Sequence, residues 1–159
     1  MRKYLMLLAS AFLLTTLAIA KDEPKFKSIE VKHFPNAEGV ELPPEFSDYL
    51  YAELRATLQK KKIAEQLVGE DEVVDAADAP KSAILEGSLL EYKKGSLVKE
   101  KLIGWGPRSL KAHIKVTRVS DHEVLLDKDM KVRASAQWDP KTLAKFLAGS
   151  IAGELKHSE

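Results

Sequence analysis

Residues 109 to 134 constrain this chain more than any other stretch. Leu110, Ala112, Ile114 and Val116 alternate with Ser109, Lys111, His113, Lys115 and Thr117. After Ser120-Asp121-His122, Val124, Leu126, Met130, Val132 and Ala134 alternate with Glu123, Leu125, Asp127, Asp129, Lys131 and Arg133. A two-residue period marks strands with one apolar and one polar face. So short a connection returns the chain antiparallel, because a parallel return needs a crossover of about a dozen residues. The two runs therefore predict a hairpin in a sheet with one solvated face.

The apolar face of such a sheet needs cover, and two segments have the period to supply it. Asp139-Pro140 reads as an N-cap followed by proline at the first helical position, with Leu143, Phe146, Leu147, Ile151 and Leu155 at helical spacing beyond. Trp138 reads as a staple residue packing on that helix. Gly149 and Gly153 read as sites of close helix–sheet packing, the alternative being a helix-dimer seam. Pro43-Pro44 opens an earlier helix, with Phe46, Leu50, Leu54 and Leu58 four apart, running to about Lys60. The basic triplet Lys60-Lys61-Lys62 complements the helix dipole there.

Phe26 to Phe34 recurs near period two and reads as a first strand, ended by Pro35-Asn36. Ile63 to Val68 is either a last helical turn or a short strand. Residues 69 to 80 read as a solvated acidic loop, since Glu70, Asp71, Glu72, Asp75 and Asp78 lack the ligand spacing of a calcium loop. Ala83 to Tyr92 is a further strand, in which Gly87 marks a bulge or a close backbone approach. The predicted class is α+β: a mainly antiparallel sheet of four or five strands with two helices on one face, in the order β-α-(β)-β-β-β-α.

Arg2 and Lys3 precede seventeen uncharged residues that end in Ala18-Ile19-Ala20, the pattern of a secretory signal peptide cleaved after Ala20. The expected organisation is a leader over 1–20 and one domain over 21–159, exported to the periplasm or the medium and soluble after cleavage. The apolar run is short for a membrane span. The 25 Lys plus Arg against 24 Asp plus Glu leave no excess of positive charge for a nucleic-acid partner. The chain has no Cys. Lipid attachment through a thioether, thiol nucleophiles and iron–sulfur clusters are thereby excluded for it.

Residues Leu85-Glu86-Gly87-Ser88-Leu89-Leu90-Glu91-Tyr92-Lys93-Lys94-Gly95-Ser96, then Gly104-Trp105-Gly106, the Leu110 to Val116 strand and the Asp121 turn resemble the bacterial family known as domain of unknown function 4410. The chain departs from it in lacking a lipobox Cys, in Pro107 where a small residue is usual, and in Glu123 where the hairpin glycine is common. The resemblance implies a small exported or lipid-anchored envelope protein, and the missing lipobox Cys puts the anchored form in doubt. The fold it implies is similar to the amino-terminal domain of the Tol translocation protein and to lipoprotein cofactors of peptidoglycan synthases. It brings no catalytic residue with it, and function does not travel with fold.

His33, His113, His122 and His157 lie too far apart in sequence for a zinc-helix motif, and no serine stands in a nucleophile elbow. No metal, cofactor or catalytic residue is expected. Gly104-Trp105-Gly106-Pro107-Arg108 leads into a strand rather than a helix, which a dinucleotide fingerprint forbids. Trp105 and Arg108, on a loop flexed by Gly104 and Gly106, read as a partner-binding tip, because Trp and Arg are over-represented at interface hot spots, the alternative being that Trp105 folds back to cover a sheet edge. The favoured reading is a non-enzymatic module that binds another envelope protein through a sheet edge or the 97–109 loop. The alternative is a small hydrolase or ligand-binding domain built from residues distant in sequence, such as His113 with Asp127 or Asp129 across the hairpin.

Overall fold

The chain enters its sheet at an inner position and builds outward on both sides. The computed structural model describes residues 23–70, 72–103 and 106–157, so the expected leader lies outside the described residues. Strand β1 (Phe26–Val31) is followed by helix α1 (Phe46–Lys60) and strand β2 (Ala64–Val68), which pairs parallel to β1. Strand β3 (Ser82–Lys93) lies parallel to β1 on its other side. Helix α2 (Leu97–Ile103), strands β4 (Arg108–Arg118) and β5 (Val124–Ala134), and helix α3 (Lys141–His157) complete the order. The sheet reads β2-β1-β3-β4-β5, with β3, β4 and β5 antiparallel. This is the α+β class expected, with parallel pairing at β1 joining the antiparallel meander.

The helix periods fall where the apolar spacing placed them. Phe46, Leu50, Leu54 and Leu58 of α1 are all buried, as are Leu143, Leu147, Ile151 and Leu155 of α3. They meet Ile29, Val31, Leu85, Leu89, Leu110, Ile114 and Val116 from the covered face of the sheet in one cluster. Asp139 Oδ1 accepts the Lys141 amide hydrogen at 2.8 Å, the predicted cap. Trp138 packs edge-on against Phe146, ring centroids 6.1 Å apart. Phe146 points outward rather than into the core, and is 40% exposed.

The residues between Ile63 and Val68 settle as an edge strand, because Phe26 N–H donates to the Ile63 carbonyl and starts the parallel ladder. Gly87 is the close approach that its place in a strand predicted. A Cβ there would stand 2.4 Å from the His113 carbonyl oxygen and 2.7 Å from the Phe34 ring. The bulge in β3 falls later, between Leu89 and Glu91.

Two expectations need correction. Gly149 and Gly153 do not let α3 approach the sheet: a Cβ on either would meet nothing within 4 Å. The core-facing positions of α3 are instead Leu143, Ala144, Leu147, Ala148, Ile151, Ala152 and Leu155, so alanine supplies the close packing. The 97–109 segment is also not all loop. Its first half is α2, begun where Ser96 Oγ accepts the Lys99 amide hydrogen at 3.5 Å.

Candidate functional site

The open face of β3, β4 and β5 carries its polar side chains in rows set by register. Ser88 stands opposite His113, which stands opposite Asp129; Glu86 faces Lys115, which faces Asp127. Lys111 Nζ lies 2.7 Å from Asp129 Oδ2, Lys115 Nζ 3.5 Å from Glu86 Oε1, and Lys131 Nζ 3.9 Å from Glu91 Oε2. The Lys111 ammonium, then His113, holds the Asp129 carboxyl below the usual carboxylate range, and Asp129 in turn raises Lys111.

The cross-hairpin pair exists. His113 Nδ1 is 3.1 Å from Asp129 Oδ1, and Nε2 is 3.5 Å from Asp127 Oδ1. Both imidazole nitrogens face carboxylates, leaving neither aimed at Ser88, and β4 is paired along both edges, so its amides are spent in the ladders. Concavities around Phe26 and Leu125, around Arg55 and Gln66, and around Tyr92 and Arg108 are not lined by His113. The row is a flat ladder of cross-strand ion pairs.

A second polar cluster, which sequence reasoning missed, sits where β1 and β2 end. The His33 ring stacks on Tyr51 of α1 with centroids 4.0 Å apart, and its Nδ1 lies 3.1 Å from Glu70 Oε2. The other Glu70 oxygen accepts the His33 backbone amide. That amide, followed by the ring, draws the Glu70 carboxyl below its ordinary range. Arg55 Nη1 donates to Tyr51 Oη and to the Val68 carbonyl, and Nη2 donates to the Leu67 carbonyl, each at 3.1 Å. Glu70 thus pins the start of the acidic loop, most of which is exposed as expected. His33 and Glu70 are 37 positions apart, and only the parallel β1–β2 register brings them together.

The expected partner-binding tip lies partly outside the described residues, which omit Gly104 and Trp105. Gly106 and Arg108 are described, and they form the base of the excursion between β3 and β4. Ser96 N–H donates to the Gly106 carbonyl at 2.8 Å. Arg108 Nε donates to the Lys94 carbonyl at 3.0 Å, and Nη1 to the Trp138 carbonyl at 2.7 Å. Gly95 holds φ +75°, and a Cβ there would stand 2.6 Å from the Gly106 carbonyl oxygen. Beside this base, Glu41, Leu42, Pro43, Tyr92, Lys94, Arg108 and Pro140 line an open groove of about 400 Å³. Beyond it α2 exposes Leu97, Val98 and Leu102.

The sheet edges are less available. Arg55 occupies carbonyls of the β2 edge strand. On β5, Lys128 lies opposite the core residue Ile114 and reaches Glu154 of α3 at 2.8 Å, an inward charge of the kind that blocks edge pairing. Among the described residues no group of three His, Cys, Asp or Glu is placed to hold a metal ion, and no helix is long and apolar enough to cross a membrane.

No protein-family model and no curated protein matches the sequence. The resemblance to domain of unknown function 4410 therefore has no family-model support, and what the comparisons carry is the fold. The chain is similar to the PelC dodecamer from Paraburkholderia phytofirmans, at 14% identity and a TM-score of 0.60, over 86% of this chain and 91% of that one. It is similar to the hypothetical protein CT253 from Chlamydia trachomatis, at 8% identity and a TM-score of 0.55, over 82% and 98%. It is also similar to XCC0632 from Xanthomonas campestris, of the DUF330 family, at 11% identity and a TM-score of 0.53, over 86% and 85%. With so little shared sequence, these likenesses establish a shared α+β architecture of nearly the whole described chain.

Proposed function

We propose that this chain is an exported, non-catalytic module of the cell envelope that binds another protein through the 97–109 segment, at the base of the excursion between β3 and β4. The observation that carries the reading is the pinned base of that excursion. One guanidinium, Arg108, joins the end of β3 to the approach to α3 through two backbone carbonyls. A groove with apolar walls from Leu42, Pro43 and Pro140, and with Lys94 and Arg108 at its side, opens beside it. A fixed, partly apolar surface keeps the entropy lost on binding small. Arg55 on the β2 carbonyls and Lys128 on β5 disfavour edge pairing, which supports the loop over a sheet edge. Export rests on the leader pattern over residues 1–20. The PelC neighbour is a dodecamer, so this fold is used in at least one multi-copy assembly, and a second copy of the chain belongs among the partners to test.

The test is crosslinking in envelope fractions with wild type, Trp105→Ala and Arg108→Ala. A crosslinked species seen with wild type and lost with both variants supports the reading. Equal recovery of every species by all three proteins rejects it. A hydrolase would instead need His113, so turnover of a chromogenic ester that His113→Ala abolishes would move the assignment to the alternative.

A further inference from the structure

We infer that α2 is a docking element for an anionic lipid surface, distinct from the groove at its base. Among the described residues seven large apolar side chains are exposed, and three of them stand together on the seven-residue α2: Leu97 is 48% exposed, Val98 67% and Leu102 77%. At 100° per residue Val98 and Leu102 share one face of the helix, with Lys101 flanking it on one side and Lys99 on the other. Lys94 lies just before the helix, at the exit of β3. Lys94, Lys99 and Lys101 are all exposed. Charge over the whole chain is balanced, 25 basic residues against 24 acidic, whereas residues 93–102 hold four lysines and one glutamate.

This arrangement fits a bilayer interface better than a protein face. A stable protein–protein contact uses roughly 20–30 residues a side. Three apolar side chains on a projecting two-turn helix offer far less than that. A fluid interface accepts a small apolar wedge, and flanking lysines lay their methylene stems along it while their ammonium groups reach anionic headgroups. The excursion is held from below by Arg108 and by the Ser96–Gly106 hydrogen bond, so the wedge is carried on a fixed stem.

The experiment is co-sedimentation of the exported form, cleaved after Ala20, with vesicles of phosphatidylglycerol and phosphatidylcholine mixed, and of phosphatidylcholine alone. Wild type is compared with Val98→Ser/Leu102→Ser and with Lys99→Gln/Lys101→Gln. With the leader removed, its apolar run contributes nothing to the sedimentation. The expected result is binding to the anionic vesicles that falls at least tenfold in the apolar double variant. The lysine double variant should lose about fivefold per lysine. Circular dichroism should show all three equally folded, since the substituted side chains are exposed. Val98→Ser/Leu102→Ser should keep the protein crosslink that Arg108→Ala loses, which separates this site from the protein-binding groove. Equal sedimentation of wild type and the apolar double variant overturns the inference. So does loss of the protein crosslink in that variant while wild type shows no preference for anionic vesicles.

Discussion

Gly87→Ala tests whether the covered face of the sheet is built around an absent side chain. The new Cβ would stand 2.4 Å from the His113 carbonyl oxygen and 2.7 and 2.9 Å from two carbons of the Phe34 ring. Non-bonded carbons rarely come within 3 Å of such atoms, so something must move by more than half an ångström. Neither neighbour is free to do so. The His113 carbonyl belongs to β4, which is paired on both sides, and Phe34 is 1% exposed. Phe34 is also held through its own carbonyl, which accepts the Ser47 hydroxyl at 3.1 Å and links the exit of β1 to the start of α1. Overpacking a close-fitting core costs about 1–3 kcal/mol, and two immobile neighbours place this case at about 3 kcal/mol. For a domain of this size that is a fall in Tm of roughly 10 °C. Thermal unfolding followed by circular dichroism reads it directly. A Tm within about 2 °C of wild type would mean that Phe34 does not lie over Gly87, and would refute the packing of the β1–α1 connection derived from it.

Gly149→Ala carries the opposite sign, because open space surrounds the position and alanine favours a helix over glycine by about 1 kcal/mol; chemical denaturation showing destabilisation would restore close packing at that site. Glu70→Gln should separate from wild type only in one pH window. The Glu70 carboxyl is lowered in the folded chain by the His33 amide and ring. Its contribution is therefore present above the unfolded carboxylate value of about 4.3 and lost as pH falls through the folded value. Urea midpoints of the two proteins should differ at pH 7 and converge as pH falls below the lowered Glu70 value, and a constant offset would show that the ionised carboxylate is not the source. Arg55→Ala frees two edge-strand carbonyls and removes the ring contact to Tyr51, costing about 1–2 kcal/mol. It should also raise the tendency to self-associate by edge pairing, read by light scattering against concentration.

How much of this was legible in the sequence follows from the range of each interaction. The hairpin, both long helices and the Asp139 cap rest on neighbours a few residues apart or on a period, and a string records those directly; Gly87 was readable as a glycine inside a strand, but not that it meets His113 and Phe34. The parallel position of β2 rests on Phe26 meeting Ala64. Nothing local reports that pairing, which is why residues 63 to 68 stayed open between helix and strand. The His33–Glu70 contact depends on the same register and was invisible for the same reason. Gly149 and Gly153 misled because four-residue spacing of glycine shows only that one helix face is small. Whether that face turns inward depends on the neighbouring Leu and Ala positions, and here those claim the core. His113 and its carboxylates were readable as a cross-hairpin row. Their character as an ion-pair ladder was not, since it depends on which way Nε2 points and on β4 being an inner strand.

The position of the contact surface follows from how the sheet protects itself. An open sheet of five strands presents two edges, and each is a template for pairing with another chain. Here β2 is short, five residues, and carries Arg55 across its carbonyls. β5 is long, eleven residues, and is guarded by Lys128, whose charge would be stranded in any flat edge-to-edge stack that drew it from Glu154. The open face is spent in its own ion pairs, and the other face lies under α1 and α3. Among the described residues the one element with three exposed large apolar side chains, Leu97, Val98 and Leu102, is α2 in the insertion between β3 and β4, on a stem that Arg108 fixes. A chain that guards its edges while exposing Val98 and Leu102 gains nothing in stability from that exposure, so those residues point to a surface that covers them.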